Sequence, residues 1–178
     1  DLFLPDNYSV SVVYGGDDSC YGDVAYCDVT VSKLDVNMTV NAENVNYGEY
    51  LTFDISLTHD SKLIEGNVIL NINGIDYTVS ANNNFTLPVI LNASDYIVSV
   101  YYNGSEIYNA KDLTTNVGVY KIDPNLEFKI NDVKYGDSSI AEVKLTGIND
   151  FTLDENVILV INNRRYIFKA NSNYTIPV

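Results

Sequence analysis

Two cysteines, Cys20 and Cys27, bound the segment CYGDVAYC, and two aspartates, Asp17 and Asp18, precede them behind Gly15 and Gly16. In an exported protein, cysteines this close would close a small surface loop as a disulfide, which stabilises chiefly by restricting the unfolded chain. The competing use is metal binding. Zinc takes four soft ligands, and the one histidine, His59, stands far along the chain, so the disulfide is the expectation. Paired carboxylates in a turn also make Asp17 and Asp18 calcium candidates. Calcium needs six or more oxygens, however, and the positions 88 residues on are Ser105 and Glu106, so the pair is not repeated. A solvated acidic turn is the favoured reading.

Acceptor triplets Asn-X-Ser/Thr begin at Asn7, Asn37, Asn84, Asn92, Asn103 and Asn173, which makes these six the candidates for N-glycosylation in an exported chain. Asn84 and Asn173 occupy equivalent places in two similar segments, and Asn37 lies between inward-facing Val36 and Met38, hence outward. Acid-base catalysis needs converging carboxylates or a histidine beside a nucleophile, and His59 with Asp60 reads as a solvated loop pair. The chain carries no nucleophile elbow, HExxH, P-loop or dinucleotide fingerprint. No enzyme activity and no cofactor are expected.

The elements that position these residues announce themselves by repetition. VNYGEYLTFDISL at Val45 returns as VKYGDSSIAEVKL at Val133, 88 positions on, and NVILNING at Asn67 returns as NVILVINN at Asn156, 89 on. NFTLPV at Asn84 returns as NYTIPV at Asn173, and upstream NYSVSVVYGG at Asn7 matches DYIVSVYYNG at Asp95. KLDVNMTV at Lys33 likewise matches KIDPNLEF at Lys121. The whole chain is periodic. Within a period, YLTFDISLT places Leu51, Phe53, Ile55 and Leu57 on one face and Thr52, Asp54, Ser56 and Thr58 on the other, the alternation of a half-buried strand. Seven such runs are expected: Val36 to Val40, Tyr50 to Thr58, Asn67 to Asn73, Ile75 to Ser80, Asn84 to Val89, Asp95 to Tyr102 and Thr115 to Lys121. No segment holds a helical apolar stripe. The fold class predicted is all-β, tandem immunoglobulin-like β-sandwich repeats of about 88 residues. Tyr96 and its counterpart Tyr8 stand where a tyrosine corner would clamp the entry to the sixth strand.

LPDNYSVSVVYGGDDSCY and LNASDYIVSVYYNGSEIY resemble the closing motif of bacterial Ig-like repeats, and VNYG with NVILNINGIDY resembles their opening half. The Asn-, Tyr- and Ile-rich character is similar to the tandem Ig-like repeats of adhesin-like surface proteins of methanogenic archaea. That resemblance covers the whole chain and implies an extracellular, cell-surface stalk with no catalytic residues. Composition agrees with a folded chain whose partners are not polyanions: 46% of residues are apolar, and the net charge of −14 repels nucleic acid and anionic lipid. No run is long enough for direct membrane insertion.

The period divides the chain into residues 1–33, the last strands of one unit; 34–121, a complete unit; and 122–178, the first strands of another. Pro124 in the connector YKIDPNL should stiffen the joint. Lys33 and Lys121, recurring there, are the lysines to inspect for an isopeptide crosslink, although charged strand ends are the simpler reading. Asp1 and Val178 fall at the same phase of the unit, so the expected partners are neighbouring Ig-like units or copies of the chain itself in a linear array, joined by continuity or by strand donation. The expected function is a structural or adhesive stalk module. The alternative is an Ig-like module that binds a glycan or a partner protein, with Tyr101, Tyr102 and Tyr108 as a candidate patch.

Overall fold

The computed structural model describes residues 3–176; the expected shared phase of Asp1 and Val178 lies outside the described residues. In chain order the strands are β1 (Asp6–Tyr14), β2 (Asp23–Val31), β3 (Asn37–Ala42), β4 (Val45–Asn46), β5 (Thr52–His59), β6 (Lys62–Leu63), β7 (Asn67–Ile72) and β8 (Ile75–Ser80). They continue as β9 (Asn83–Thr86), β10 (Ser94–Tyr102), β11 (Lys111–Tyr120), β12 (Asn125–Ile130), β13 (Ser139–Thr146), β14 (Asn156–Ile161), β15 (Arg164–Lys169) and β16 (Asn173–Ile176). One 3-10 turn covers Ile148–Asp150, and the described residues hold no α-helix. The fold is an all-β sandwich.

Contacts gather the chain into two compact units. The first comprises Asp1–Glu43, Thr52–Leu87 and Asp95–Val117; the second comprises Asn44–Leu51, Pro88–Ser94 and Gly118–Val178. Packing and sequence period therefore divide the chain differently. The reason lies in the second unit, where the loop around Tyr47 and Gly48 packs with residues beyond the first period. The Tyr47 ring meets Phe151 edge-on at 5.8 Å, and Gly48, at φ +100°, lies so close under Phe151 that an added Cβ would stand 3.1 Å from the ring.

In the first unit, β3 and β9 pair antiparallel on either side of β5, and β6 caps the end of β5. A second sheet sets β11, β10, β7 and β8 side by side, with Val98 opposite Ile72 and Val100 opposite Leu70. Phe53, Ile55 and Leu57 of β5 and Val68, Leu70 and Ile72 of β7 are fully buried, as are Val98 and Val100 of β10. Each is the inward member of an alternating strand. Burying such a side chain contributes about 1.5–3 kcal/mol relative to leaving it exposed, so these eight outweigh any surface pair. Asn73 and Gly74, both at positive φ, make the two-residue turn between β7 and β8.

All seven expected runs of the complete period appear as strands. β11 starts earlier than expected, at Lys111, because pairing beside β10 carries it through a mostly polar stretch in which Leu113 alone supplies a half-buried apolar side chain. The two-residue strands β4 and β6 are shorter than any periodic signal. β1 and β2 form a hairpin from Asp6 opposite Val31 to Tyr14 opposite Asp23, and nearly every residue of it is exposed.

In the second unit β13 lies between β12 and β16, while β14 and β15 form a separate hairpin. β4 pairs parallel with the end of β11, Val45 with Val119 and Tyr120 with Asn46. Ala141, Val143 and Leu145 are buried, yet positions matching the first unit's core are open. Leu126 is 60% exposed where Met38 is 4%, and Phe128 is 51% exposed where Val40 is 8%.

Leu70 and its counterpart Leu159 test the difference. Leu70→Ala should cost about 2–5 kcal/mol by denaturant titration and Leu159→Ala less than half as much in dilute solution, because removing a half-exposed side chain leaves little cavity. Equal losses would contradict the exposed state of β14.

Candidate functional site

The turn after β1 organises the acidic pair. The Asp17 carboxylate accepts hydrogen bonds from the Ser19 and Cys20 amides at 2.8 and 2.9 Å and from the Tyr14 hydroxyl at 2.7 Å. The Tyr14 hydroxyl bond, then the two amides, hold the Asp17 carboxyl below the usual carboxylate range; the same bond raises the Tyr14 phenol above 10. Ser105 performs the same task 88 residues on, its hydroxyl accepting from the Ile107 and Tyr108 amides at 3.2 and 3.1 Å. The backbone agrees: the Asp17 amide donates to the Cys20 carbonyl and the Ser105 amide to the Tyr108 carbonyl, both at 3.0 Å. Gly16 and Gly104 adopt φ of +79° and +81°, and a Cβ added at either would stand 2.9 and 2.8 Å from the matching carbonyls, of Cys20 and Tyr108. Asp17 is thus a turn former whose oxygens are engaged, and among the described residues no three His, Cys, Asp or Glu side chains are grouped to hold a metal ion. Tyr108 thus takes the place that Cys20 holds in the earlier turn.

The expected Cys20–Cys27 disulfide is not formed; both are free, exposed thiols. Cys27 sits in mid-strand opposite Val10, four residues beyond Asp23, whereas Cys20 belongs to the turn on the far side of Asp23. Four strand residues span about 13 Å, while a disulfide needs Cα atoms within roughly 7 Å. Loop closure by spacing alone overlooked the hairpin register.

Tyr8 is half-buried, and its hydroxyl donates to the Leu4 carbonyl at 2.7 Å, four residues upstream, with the Phe3 ring edge-on at 4.9 Å. Tyr96 holds the matching place on β10, also half-buried. All six acceptor asparagines, Asn7, Asn37, Asn84, Asn92, Asn103 and Asn173, are exposed. The Lys33 amine donates to the Ser105 carbonyl at 2.6 Å, which occupies it without a carboxamide partner. His59 contacts the Asp35 carbonyl through Nδ1 at 2.7 Å and Asp60 through Nε2 at 3.4 Å, and its ring lies 5.8 Å from Tyr108. Of the aromatic patch, Tyr101 is exposed, Tyr108 half-buried and Tyr102 buried, so the three do not form one surface.

Two asparagines that no motif marks pair with the backbone of strands and loops around them. Asn82, at φ +61°, accepts from the Leu57 amide at 2.8 Å and donates to the Ile64 carbonyl at 2.8 Å. Asn171, at φ +58°, accepts from the Leu145 amide at 2.8 Å and donates to the Leu153 carbonyl at 2.9 Å. Each therefore ties the strand of the inner β5 or β13 type to the loop that follows it. The signal that could have found them is ANNNFTLPV against ANSNYTIPV, in which this Asn is identical in both copies.

The least satisfied surfaces are apolar. One face of the β1–β2 hairpin carries Tyr8, Val10, Val12 and Tyr14 with Val29 beside them, and Val12 is 71% exposed. In the second unit Leu126, Phe128, Val157, Leu159 and Phe168 line an apolar cleft of about 320 Å³ beside β14. Neither surface has chemistry for bond-making; both have the form of a half-interface.

No family model matches this chain, and no curated protein matches it. A solved structure described as a Ca2+-stabilized adhesin that helps an Antarctic bacterium reach out and bind ice is similar over 95% of this chain and 47% of its own length, at 20% identity and a TM-score of 0.35. The chain thus spans about half the length of that structure, and at this TM-score the likeness carries no argument.

Removing either clamp side chain leaves a backbone amide and a carbonyl unsatisfied, so Asn82→Ala and Asn171→Ala should each cost about 1–3 kcal/mol in denaturant titration. A change below half that range at both would refute the clamp. For the turn, a lowered folded-state carboxyl means that the ordering Asp17 provides is complete above the unfolded carboxylate range and is lost as pH falls through the folded value. The protection of the Ser19 and Cys20 amides, measured as exchange relative to the intrinsic rate at each pH, should fall in acid and stay level near neutrality; Asp17→Ala should lower it at all pH values.

Proposed function

We propose that this chain is a structural, adhesive stalk module of a cell-surface protein or extracellular filament, built from Ig-like units arrayed linearly. The observation that carries the reading is what recurs between copies. The Asn82 and Asn171 clamps, the Asp17 and Ser105 turns, and the Tyr77–Phe85 and Tyr166–Tyr174 ring pairs all serve the fold. Outward polar positions differ. A module whose task is length must preserve its fold and solubility, whereas one that recognises a ligand with every copy must also preserve a surface. The strand orders β3-β5-β9 and β11-β10-β7-β8 support the Ig-like part of this reading.

The exposed acceptors fit an extracellular surface that carries N-glycans, with Asn84 and Asn173 the first candidates because they stand on matching strands, β9 and β16. The test is to secrete the chain from a glycosylating host, map the modified asparagines by mass, and probe a glycan array with the product. Glycan mass at Asn84 and Asn173 with no selective array binding is the expected result. Saturable binding to one glycan class would overturn the spacer reading and favour the binding module; unmodified Asn84 and Asn173 would remove the glycan part.

A further inference from the structure

We propose that the outer face of the β14–β15 hairpin docks on the outer face of the first unit's β8-β7-β10 sheet in a second copy of the chain, so that copies associate side by side. This goes beyond the linear reading, which needs no lateral contact. Val157, Leu159 and Ile161 are the half-buried, inward members of β14, so Ile158, opposite Ile167, and Val160, opposite Arg165, point the other way. Ile158, Val160 and Ile167 are each more than half exposed, on the side of the sheet that a sandwich turns to solvent. A strand laid along the edge of β14 away from β15 would stand beside this face without covering it. β10 lies beside β7 in that way, and Ile97 and Tyr101 on its outer side stay exposed.

The two repeats differ on this face. Matched 89 residues apart, Asn71 gives way to Val160, Thr78 to Ile167 and Asp76 to Arg165. The fold does not ask for those changes: in the first unit the Asn71 amide donates to the Asp76 carboxylate on the outer face, and the core beneath is fully buried. Apolar side chains in place of polar ones on a solvent face cost solubility unless something covers them. Charge identifies the cover. Arg164 and Arg165 are the only arginines in a chain of net charge −14, so the acidic counterpart of Arg165 is at hand on the chain itself. On the first unit's outer face Asp76 shares the sheet with Ile69, Tyr101 and Ile97, as Arg165 does with Val160, Ile158 and Ile167 on the other. Packed face to face at the spacing of about 10 Å that stacked sheets adopt, Arg165 reaches Asp76 while Ile158, Val160 and Ile167 lie over Ile69 and Tyr101. Asp76 against Asp76, or Arg165 against Arg165, would repel, so unlike faces are selected and like ones rejected.

Sedimentation velocity of the whole chain at low salt reads the contact. Self-association with a Kd below about 100 μM is expected, the weak range of small interfaces. Arg165→Asp and Asp76→Arg should each weaken it at least about ten-fold, and both in one chain should restore it to within about three-fold of the parent. Val160→Asn with Ile167→Thr installs the residues that the first unit carries at the matched positions, which keeps the hairpin compatible with its fold. That variant should abolish association without shifting the melting temperature of the first unit. A chain that stays monomeric at about 100 μM would overturn the proposal. So would association unchanged by Val160→Asn with Ile167→Thr, or a charge-exchanged double variant no tighter than the single ones. Each of those failures leaves the stalk reading standing, since that reading falls on the glycan array and not on sedimentation.

Discussion

An apolar strand face is stable only where another sheet covers it, and the rest of this molecule depends on that constraint. In the first unit the β10–β11 hairpin closes β7, and the inward side chains of β5, β7 and β10 reach full burial together. Beside β14, where no described strand takes that place, the same kinds of residue are left half-exposed or open. At about 25 cal/mol per Å² of apolar area, the difference between the covered and uncovered state of even a few large side chains is several kcal/mol. That is comparable with the whole stability of a small domain.

Covering a sandwich leaves its ends to be dealt with, because each strand that stops presents amides and carbonyls to be paired. The chain solves this with side chains. Asn82 and Asn171 lie in the left-handed region, where Asn is tolerated better than most residues, and hydrogen-bond the backbone of neighbouring strands and loops. Asp17 and Ser105 do the same for the turns that follow β1 and β10, one with a carboxylate and one with a hydroxyl. The chemistry of the group is interchangeable there; what matters is an acceptor within two bonds of Cβ. An acidic residue in such a place is accounted for by backbone pairing without invoking a bound ion.

The contacts around the repeat joint follow the same economy of parts. Asn44 accepts from the Gly118 amide at 2.7 Å and donates to the Tyr120 hydroxyl at 2.8 Å, while Gly48 lets Phe151 approach the backbone and Ile122 fills the space left by Gly147. Small residues face large ones, so the connector with Pro124 is held by packing as well as by its own restricted backbone.

Much of the fold was legible beforehand because strand alternation is a local property: the period-two pattern in YLTFDISLT or DYIVSVYY is written in consecutive residues. Repetition made the reading firmer, since each strand was stated twice. The disulfide misreading, the late start assigned to β11 and the overlooked Asn82 share another cause. Each depends on which residues stand opposite one another across a ladder, and register is a relation between distant segments. Sequence by itself determined that this chain makes antiparallel strands with one apolar face and the same unit more than once. Only tertiary structure decided which faces are covered and which edges stay open, because burial is a property of the neighbour that arrives and not of the residue that waits for it.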